Sequence, residues 1–169
     1  MTAPHIIVLL GVAGSGKTTV GKALAQKLGT AFVDGDDLHP VANVRKMAQG
    51  IALTDDDRRP WLARIASWMD AELAAGKSGV VACSGLRRAY RDELRDGRRT
   101  LLVYLHLDRA VAHSRVAARV GHFFTEKLLD SQFATLEEPA PEEDVLTVDA
   151  RLPVDDLVAE IAARSVRME

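Results

Sequence analysis

Polar and apolar positions along the chain alternate between two periods. Short strand-like runs, mostly or wholly apolar, recur at Ile6–Leu10 and at residues 31–33, 80–83, 101–107 and 145–148. Runs of that length predict strands, and the wholly apolar Ile6–Leu10 reads as a buried one. Between them, apolar residues return every third or fourth position. Val20, Leu24 and Leu28 lie one turn apart with Gly29 just past the end, a helix with its C-terminal stop. Leu62, Ile65, Met69 and Leu73 mark another. Thr54 or Asp55 can cap it, Asp56 and Asp57 suit the positive end of its dipole, and Pro60 is expected near its first turn. A further helix is expected from Asp108 as cap through Val111, Arg115, Ala118 and Arg119. The last begins near Pro153, with Val154, Leu157, Val158 and Ile161 as its apolar stripe toward the sheet. Strands that alternate with helices predict an α/β fold, a parallel five-stranded sheet covered by helices on both faces in three layers.

Between the first run and the first helix stands Gly11-Val12-Ala13-Gly14-Ser15-Gly16-Lys17-Thr18, a full match to the phosphate-binding pattern G-x-x-x-x-G-K-[ST]. The strand before it and the helix after it are the setting the pattern requires. Glycines let the backbone curl so that successive N–H groups point at one phosphate, and the helix adds the positive end of its dipole. Lys17 can reach the outer phosphates as a point charge, and Thr18 can place a hydroxyl on magnesium.

Composition narrows the partners. The chain has 169 residues, 47% of them hydrophobic and 27% charged, which is the length and balance of one soluble domain with a substantial core. A net charge of −2 argues against broad nucleic-acid or membrane-surface binding. Cys83 is the single cysteine, so no intrachain disulfide forms; it sits in an apolar run and reads as a small core residue. The start of the chain has no basic segment and reads as the first strand and not as a signal peptide, so the cytoplasm is the expected compartment.

Three further clusters carry candidate chemistry. Asp34-Gly35-Asp36-Asp37-Leu38-His39-Pro40 follows the second strand. Carboxylates at i and i+2 on a strand end point the same way, and that end of a parallel sheet faces the ligand crevice. One carboxylate, Asp34, can hold magnesium through water; the other, Asp36, can take a proton from a substrate hydroxyl. Arg115 and Arg119 share a helical face and lead into Gly121-His122-Phe123-Phe124, the composition of a mobile flap that brings arginine to a transferring phosphoryl group. Arg87, Arg88, Arg91, Arg95, Arg98 and Arg99 crowd the segment after the third strand. Most are expected at the solvated surface, some paired with Asp92, Glu93 and Asp96; Arg87, beside the strand end at Ser84-Gly85, can bind an anionic substrate. The acidic stretch 137–144 has no assigned chemistry, and the run ending in Asp108 reads as a capped helix start more than as a metal-binding strand end.

Taken together these residues resemble the gluconate kinase family of small phosphate-loop kinases. The resemblance rests on the loop 11–18, Asp34-Gly35-Asp36 with Leu38-His39-Pro40, Asn43, Lys46-Met47, Leu53, Asp55-Asp56-Asp57-Arg58 and Pro60-Trp61-Leu62. It continues through Cys83-Ser84, Leu86, Tyr90-Arg91-Asp92, Leu94-Arg95, Ser114-Arg115, Arg119, Gly121-His122-Phe123-Phe124, Ser131-Gln132-Phe133, Thr135-Leu136-Glu137 and Pro139. Ile51-Ala52 departs from the usual acidic-Pro pair, and Gly85 and Arg87-Arg88 stand where Ala and lysines are common. The resemblance implies a nucleoside-monophosphate-kinase-like fold in one domain over residues 1–169, with a substrate-binding insertion at about 37–77 and a lid at about 114–135. It implies transfer of the ATP γ-phosphate to the 6-hydroxyl of D-gluconate with magnesium, and commonly a homodimer.

On that reading the loop amides and Lys17 hold the phosphates, Thr18 and Asp34 position magnesium, Asp36 is the base, and Arg119 with Arg115 closes over the transferring group. His39, Lys46, Arg58 and Arg87 are candidates for gluconate's carboxylate and hydroxyls, with Ser84 and His122 as further substrate contacts. The alternatives are another acceptor on the same scaffold (shikimate-like or a nucleotide), a GTP-dependent switch, and a non-catalytic relative. The guanine signature Asn/Thr-Lys-x-Asp is missing from the sequence, and intact Lys17, Thr18, Asp34 and Asp36 speak against lost catalysis.

Overall fold

In the computed structural model, which describes residues 2–119 and 124–168, strand β1 (Ile6–Leu10) is buried along its whole length at the centre of the sheet. It pairs in parallel with β3 (Gly79–Ala82) on one side, Val8 opposite Val81, and with β4 (Thr100–His106) on the other, Val8 opposite Leu102. The edges are β2 (Ala31–Asp34) and β5 (Leu146–Asp149), giving the order β2-β3-β1-β4-β5, parallel throughout. Strand ends differ from the apolar runs by a residue; β3 stops at Ala82 and leaves Cys83 just beyond.

The helices are α1 (Lys17–Leu28), α2 (Val41–Ala48), α3 (Asp55–Ala74), α4 (Arg88–Arg95), α5 (Arg109–Ala117), α6 (Glu126–Thr135) and α7 (Val154–Val166), with 3-10 turns at Gly35–Leu38 and Pro141–Glu143. Side chains alternate across the sheet. Ile7 and Leu9 meet Val20 and Leu24 of α1 and Leu157, Val158 and Ile161 of α7. Ile6, Val8 and Leu10 meet Trp61, Leu62, Ile65 and Met69 of α3 and Tyr90 and Leu94 of α4. Each fully buried side chain of this size contributes roughly 1.5–3 kcal/mol of hydrophobic stabilisation, so a centre buried on both faces fixes the sheet edge where the site lies.

The start of α3 follows its sequence. Thr54 Oγ1 accepts from the Asp57 N–H at 3.2 Å and Asp57 returns a bond to the Thr54 N–H at 2.8 Å, a reciprocal cap. Pro60 lies inside the helix beyond its first turn, later than expected, where it removes one backbone donor. Cys83 is buried, and burial pushes its thiol up to about 12, so it is a core residue. Among the described residues no helix is long and apolar enough to cross a membrane.

Two expectations are corrected. Asp108 holds the N-cap position of α5 but its side chain makes no capping bond; it is exposed, and its charge is felt by Arg151. The arginine-rich segment is not simply a solvated face. Arg91 is buried and bonded to Glu143, Arg95 donates to the Glu143 carbonyl, and Arg88 pairs with Glu142 at 3.0 Å. Their partners come from the acidic stretch, which closes back on α4 and so has a structural task that local sequence does not display.

Candidate active site

The loop 11–18 joins the C-terminal end of β1 to α1. Gly14 and Gly16 take φ of 83° and 92°, a region that side-chain-bearing residues avoid, and this lets the loop curl. Three contacts hold it from outside. The Gly11 N–H donates to the Ser84 carbonyl at 3.2 Å, the Ala13 N–H to Gln132 Oε1 at 2.8 Å, and Arg115 Nη1 to the Gly14 carbonyl at 3.1 Å. Arg115 also reaches the Ala150 carbonyl at 3.2 Å, tying the loop to the end of β5. Lys17 Nζ folds over the loop, donating to the Gly11 and Val12 carbonyls at 2.8 and 3.0 Å. Burial lowers its pKa, while Asp36 and Asp34 pull it back up. Among the described residues Ser15 Oγ is buried with no hydrogen-bond partner.

Thr18 Oγ1 donates to Asp34 Oδ2 at 2.7 Å, so the first turn of α1 is joined directly to the end of β2. Asp34 Oδ1 accepts from the Asp36 N–H at 3.0 Å and starts the 3-10 turn. Asp36 therefore lies in that turn and not on the strand, and strand alternation is not what aligns it with Asp34. A side-chain cap does so, and both carboxylates line one cavity.

That cavity, of about 480 Å³, runs from the phosphate loop across the acidic turn to α2, α3 and α6, a size typical of small-ligand sites of roughly 300–1,000 Å³. It is lined by Ala13, Gly14, Gly16, Lys17, Thr18, Asp34, Asp36, His39, Arg58, Ser84 and Arg119, with Val44, Met47, Trp61, Leu86, Phe124, Leu128, Ser131 and Gln132 among its other walls. Of the residues singled out from sequence, Gly11, Val12 and Ser15 belong to the loop without lining the cavity. Arg115 acts on the loop from behind. Lys46 is paired with Asp57 at 2.6 Å. Arg87 Nε stands 3.3 Å from Asp55 Oδ1, an ion-pair contact without hydrogen-bond alignment. Neither cation lines the cavity. His122 lies outside the described residues.

The far end of the cavity is polar and braced. Arg58 is buried, and its Nη1 donates to the Tyr90 hydroxyl at 3.2 Å, which in turn bonds Asp55. His39 stacks on Trp61 with ring centroids 4.4 Å apart and 11° between planes. Burial, then the nearby Arg58 charge, hold the His39 imidazole down to about 4, so it is neutral near pH 7. Two residues given no role from sequence join the site: Gln132, through the loop amide, and Asn43, a buried amide one helical turn past His39. Asn43 is a polar residue at a buried helix position and Gln132 a half-buried one, and in the sequence each stands out only as part of the segments that carry the family resemblance.

A metal can be held by hard oxygens only. Among the described residues no group of three or more His, Cys, Asp or Glu side chains could hold an ion. Thr18 Oγ1 and Asp34 Oδ2 are adjacent and of the type magnesium takes, which it binds with few protein ligands, completing its shell with water and phosphate oxygens.

Comparison with known proteins follows the same lines. A family model described as "AAA domain" matches residues 6–139. The chain is 48% identical over 157 residues to the thermoresistant gluconokinase of Escherichia coli (strain K12), covering 92% of this chain and 90% of that one. It is 43% identical over 160 residues to the gluconokinase of Gluconobacter oxydans (strain 621H), covering 94% and 89%. Among solved structures, a gluconokinase from Sinorhizobium meliloti 1021 superposes with a TM-score of 0.86 at 43% identity, covering 99% of this chain and 95% of that one. A shikimate kinase from Acinetobacter baumannii shares the fold at a TM-score of 0.61 and 22% identity, covering 98% and 96%.

Proposed function

The chain belongs to the gluconokinase family of P-loop kinases, and from that premise we propose that it transfers the γ-phosphoryl group of ATP to the 6-hydroxyl of D-gluconate, giving 6-phospho-D-gluconate. The observation that carries the mechanism is the Thr18–Asp34 bond, which joins the phosphate loop to the acidic turn across one cavity. Family membership does not favour a shikimate-like or nucleotide acceptor.

Placement around the cavity supports the following roles. Loop amides and the N-terminus of α1 hold the phosphates, and Lys17 adds its charge at their outer end. Thr18 and Asp34 would hold magnesium, which would neutralise part of the triphosphate's charge. Asp36 orients the acceptor hydroxyl and accepts its proton as the new O–P bond forms and ADP leaves. Arg119, on the cavity wall, stabilises charge on the transferring group. Arg115 keeps the loop in shape through Gly14 and Ala150. Arg58, braced by Tyr90 and Asp55, is the cation for the gluconate carboxylate, with Ser84 and His39 beside it. In this reading residues 37–77 form the acceptor cover and 114–135 the lid. Magnesium as the metal is supported by the Thr18 and Asp34 oxygens together with the family resemblance, the cytoplasm as the compartment is the expectation of the sequence, and a homodimer as the assembly rests on the resemblance alone.

The test is a panel of gluconate, shikimate and nucleoside monophosphates with MgATP, read by ADP release and by NMR location of the phosphorylated carbon. Preference for gluconate with phosphate on its sixth carbon is expected. No preference for gluconate would end the reading.

A further inference from the structure

We propose that His39 serves as a neutral hydrogen-bond donor to a hydroxyl oxygen of the acceptor, and that Asn43 is the positioning residue that fixes its proton on Nε2. The inference rests on the proposed acceptor for its functional half and on geometry alone for the tautomer.

Asn43 is 4% exposed at the start of α2. Its Nδ2 donates to the Asp57 carbonyl at 2.8 Å and lies 3.2 Å from His39 Nδ1. A carbonyl oxygen only accepts, so Asp57 settles which end of the carboxamide faces it; the flipped amide would set oxygen against oxygen. With one Nδ2 hydrogen on Asp57, the other points at His39 Nδ1, which must then be an unprotonated acceptor. The ring proton is left on Nε2.

The ring plane is held, and a half-turn within it would set Cδ2–H where Nδ1 now accepts and leave the Asn43 hydrogen without an acceptor. The imidazole lies flat on Trp61, and Trp61 is itself pinned by its Nε1–H donating to the Gly35 carbonyl at 2.7 Å. The ring lines the cavity with Nδ1 occupied, and Nε2 makes no hydrogen bond to a described residue, so Nε2–H is the donor it has to offer. The charged groups around it are Arg58 and Asp57 on α3, Lys46 on α2 (paired with Asp57) and Asp36 and Asp37 in the 3-10 turn. Burial and Arg58 keep the ring uncharged near neutral pH. A neutral donor suits a hydroxyl and leaves the carboxylate to Arg58. A polyol acid carries both groups, and the cavity divides them between two side chains.

The test combines histidine 15N NMR with kinetics, using wild type, His39→Gln to assign the signal, and the near-isosteric Asn43→Asp. In ligand-free wild type at pH 7, His39 should show an unprotonated Nδ1 and a protonated Nε2. Asn43→Asp exchanges a donor for an acceptor and should move the ring proton from Nε2 to Nδ1. Its KM for gluconate should rise about tenfold, with KM for ATP unchanged and kcat less affected than KM. A wild-type His39 protonated on Nδ1 overturns the proposal even if the variant fails to fold. So does an Asn43→Asp enzyme with switched tautomer and unchanged KM for gluconate. Absence of gluconate turnover in wild type would instead count against the acceptor, since the tautomer is read without substrate.

Discussion

Arg91 and Glu143 meet in a two-pronged ion pair, Nε to Oε1 at 2.9 Å and Nη2 to Oε2 at 3.0 Å, with each side chain 1% exposed. Arg91 Nη1 also donates to the Gly85 carbonyl at 2.9 Å, next to Ser84 at the cavity edge. The pair fastens the second 3-10 turn to α4 and braces the backbone beyond β3. Removing one partner leaves a buried charge alone, so Arg91→Leu should cost about 3–5 kcal/mol in urea unfolding, whereas replacing both partners with apolar residues should cost less.

The same pair sets a pH dependence. Burial raises the Glu143 pKa, but the Arg91 hydrogen bonds and the Ala140 N–H outweigh it, and the net value lies below the ordinary 4.5. A carboxylate with a depressed folded-state pKa contributes stability that is fully present above its unfolded value and lost as pH falls through the folded one. Stability should therefore hold above about 4.5 and decline at lower pH. Glu143→Gln should flatten that decline, as followed by thermal melts across the acid range.

Gly35 carries the turn that presents Asp36. A Cβ there would meet the Ala82 carbonyl at 2.5 Å and Ile65 Cδ1 at 3.3 Å. The first contact is with strand backbone and cannot relax cheaply, so the turn must lift off β3. Gly35→Ala should lower the melting temperature and reduce kcat about tenfold or more, with MgATP affinity near wild type. A wild-type kcat would show that Asp36 tolerates the shift.

Thr18 and Asp34 bear on the metal together. Thr18→Ala and Asp34→Asn should each raise the magnesium concentration needed for half-maximal activity about ten- to a hundredfold. The measurement is a magnesium titration at fixed ATP, and an unchanged midpoint would remove the pair from the metal site.

Much of the frame was legible because it is written locally. An unbroken apolar run such as Ile6–Leu10 can only be a central strand here, and the loop before Thr18 carries its own glycines. What escaped was written at a distance. Glu143 reads as one more acid in a Pro-flanked loop until the fold brings it to Arg91. Gln132 touches Ala13 only because α6 returns to the first strand's loop. Asp36 reached the cavity by a different route from the one its spacing suggested, since a cap bond to Asp34 replaced strand alternation. Lys46 and Arg87 looked like free cations, and their pairing with Asp57 and Asp55 depends on how α2, α3 and the end of β3 pack.

The most direct test of the central claim, that a phosphate cup and Asp36 converge on one alcohol, is the turnover of Asp36→Asn with gluconate beside its KM for MgATP. The account predicts a kcat reduced about a hundredfold or more with KM for MgATP little changed. Turnover within a few-fold of wild type would contradict it.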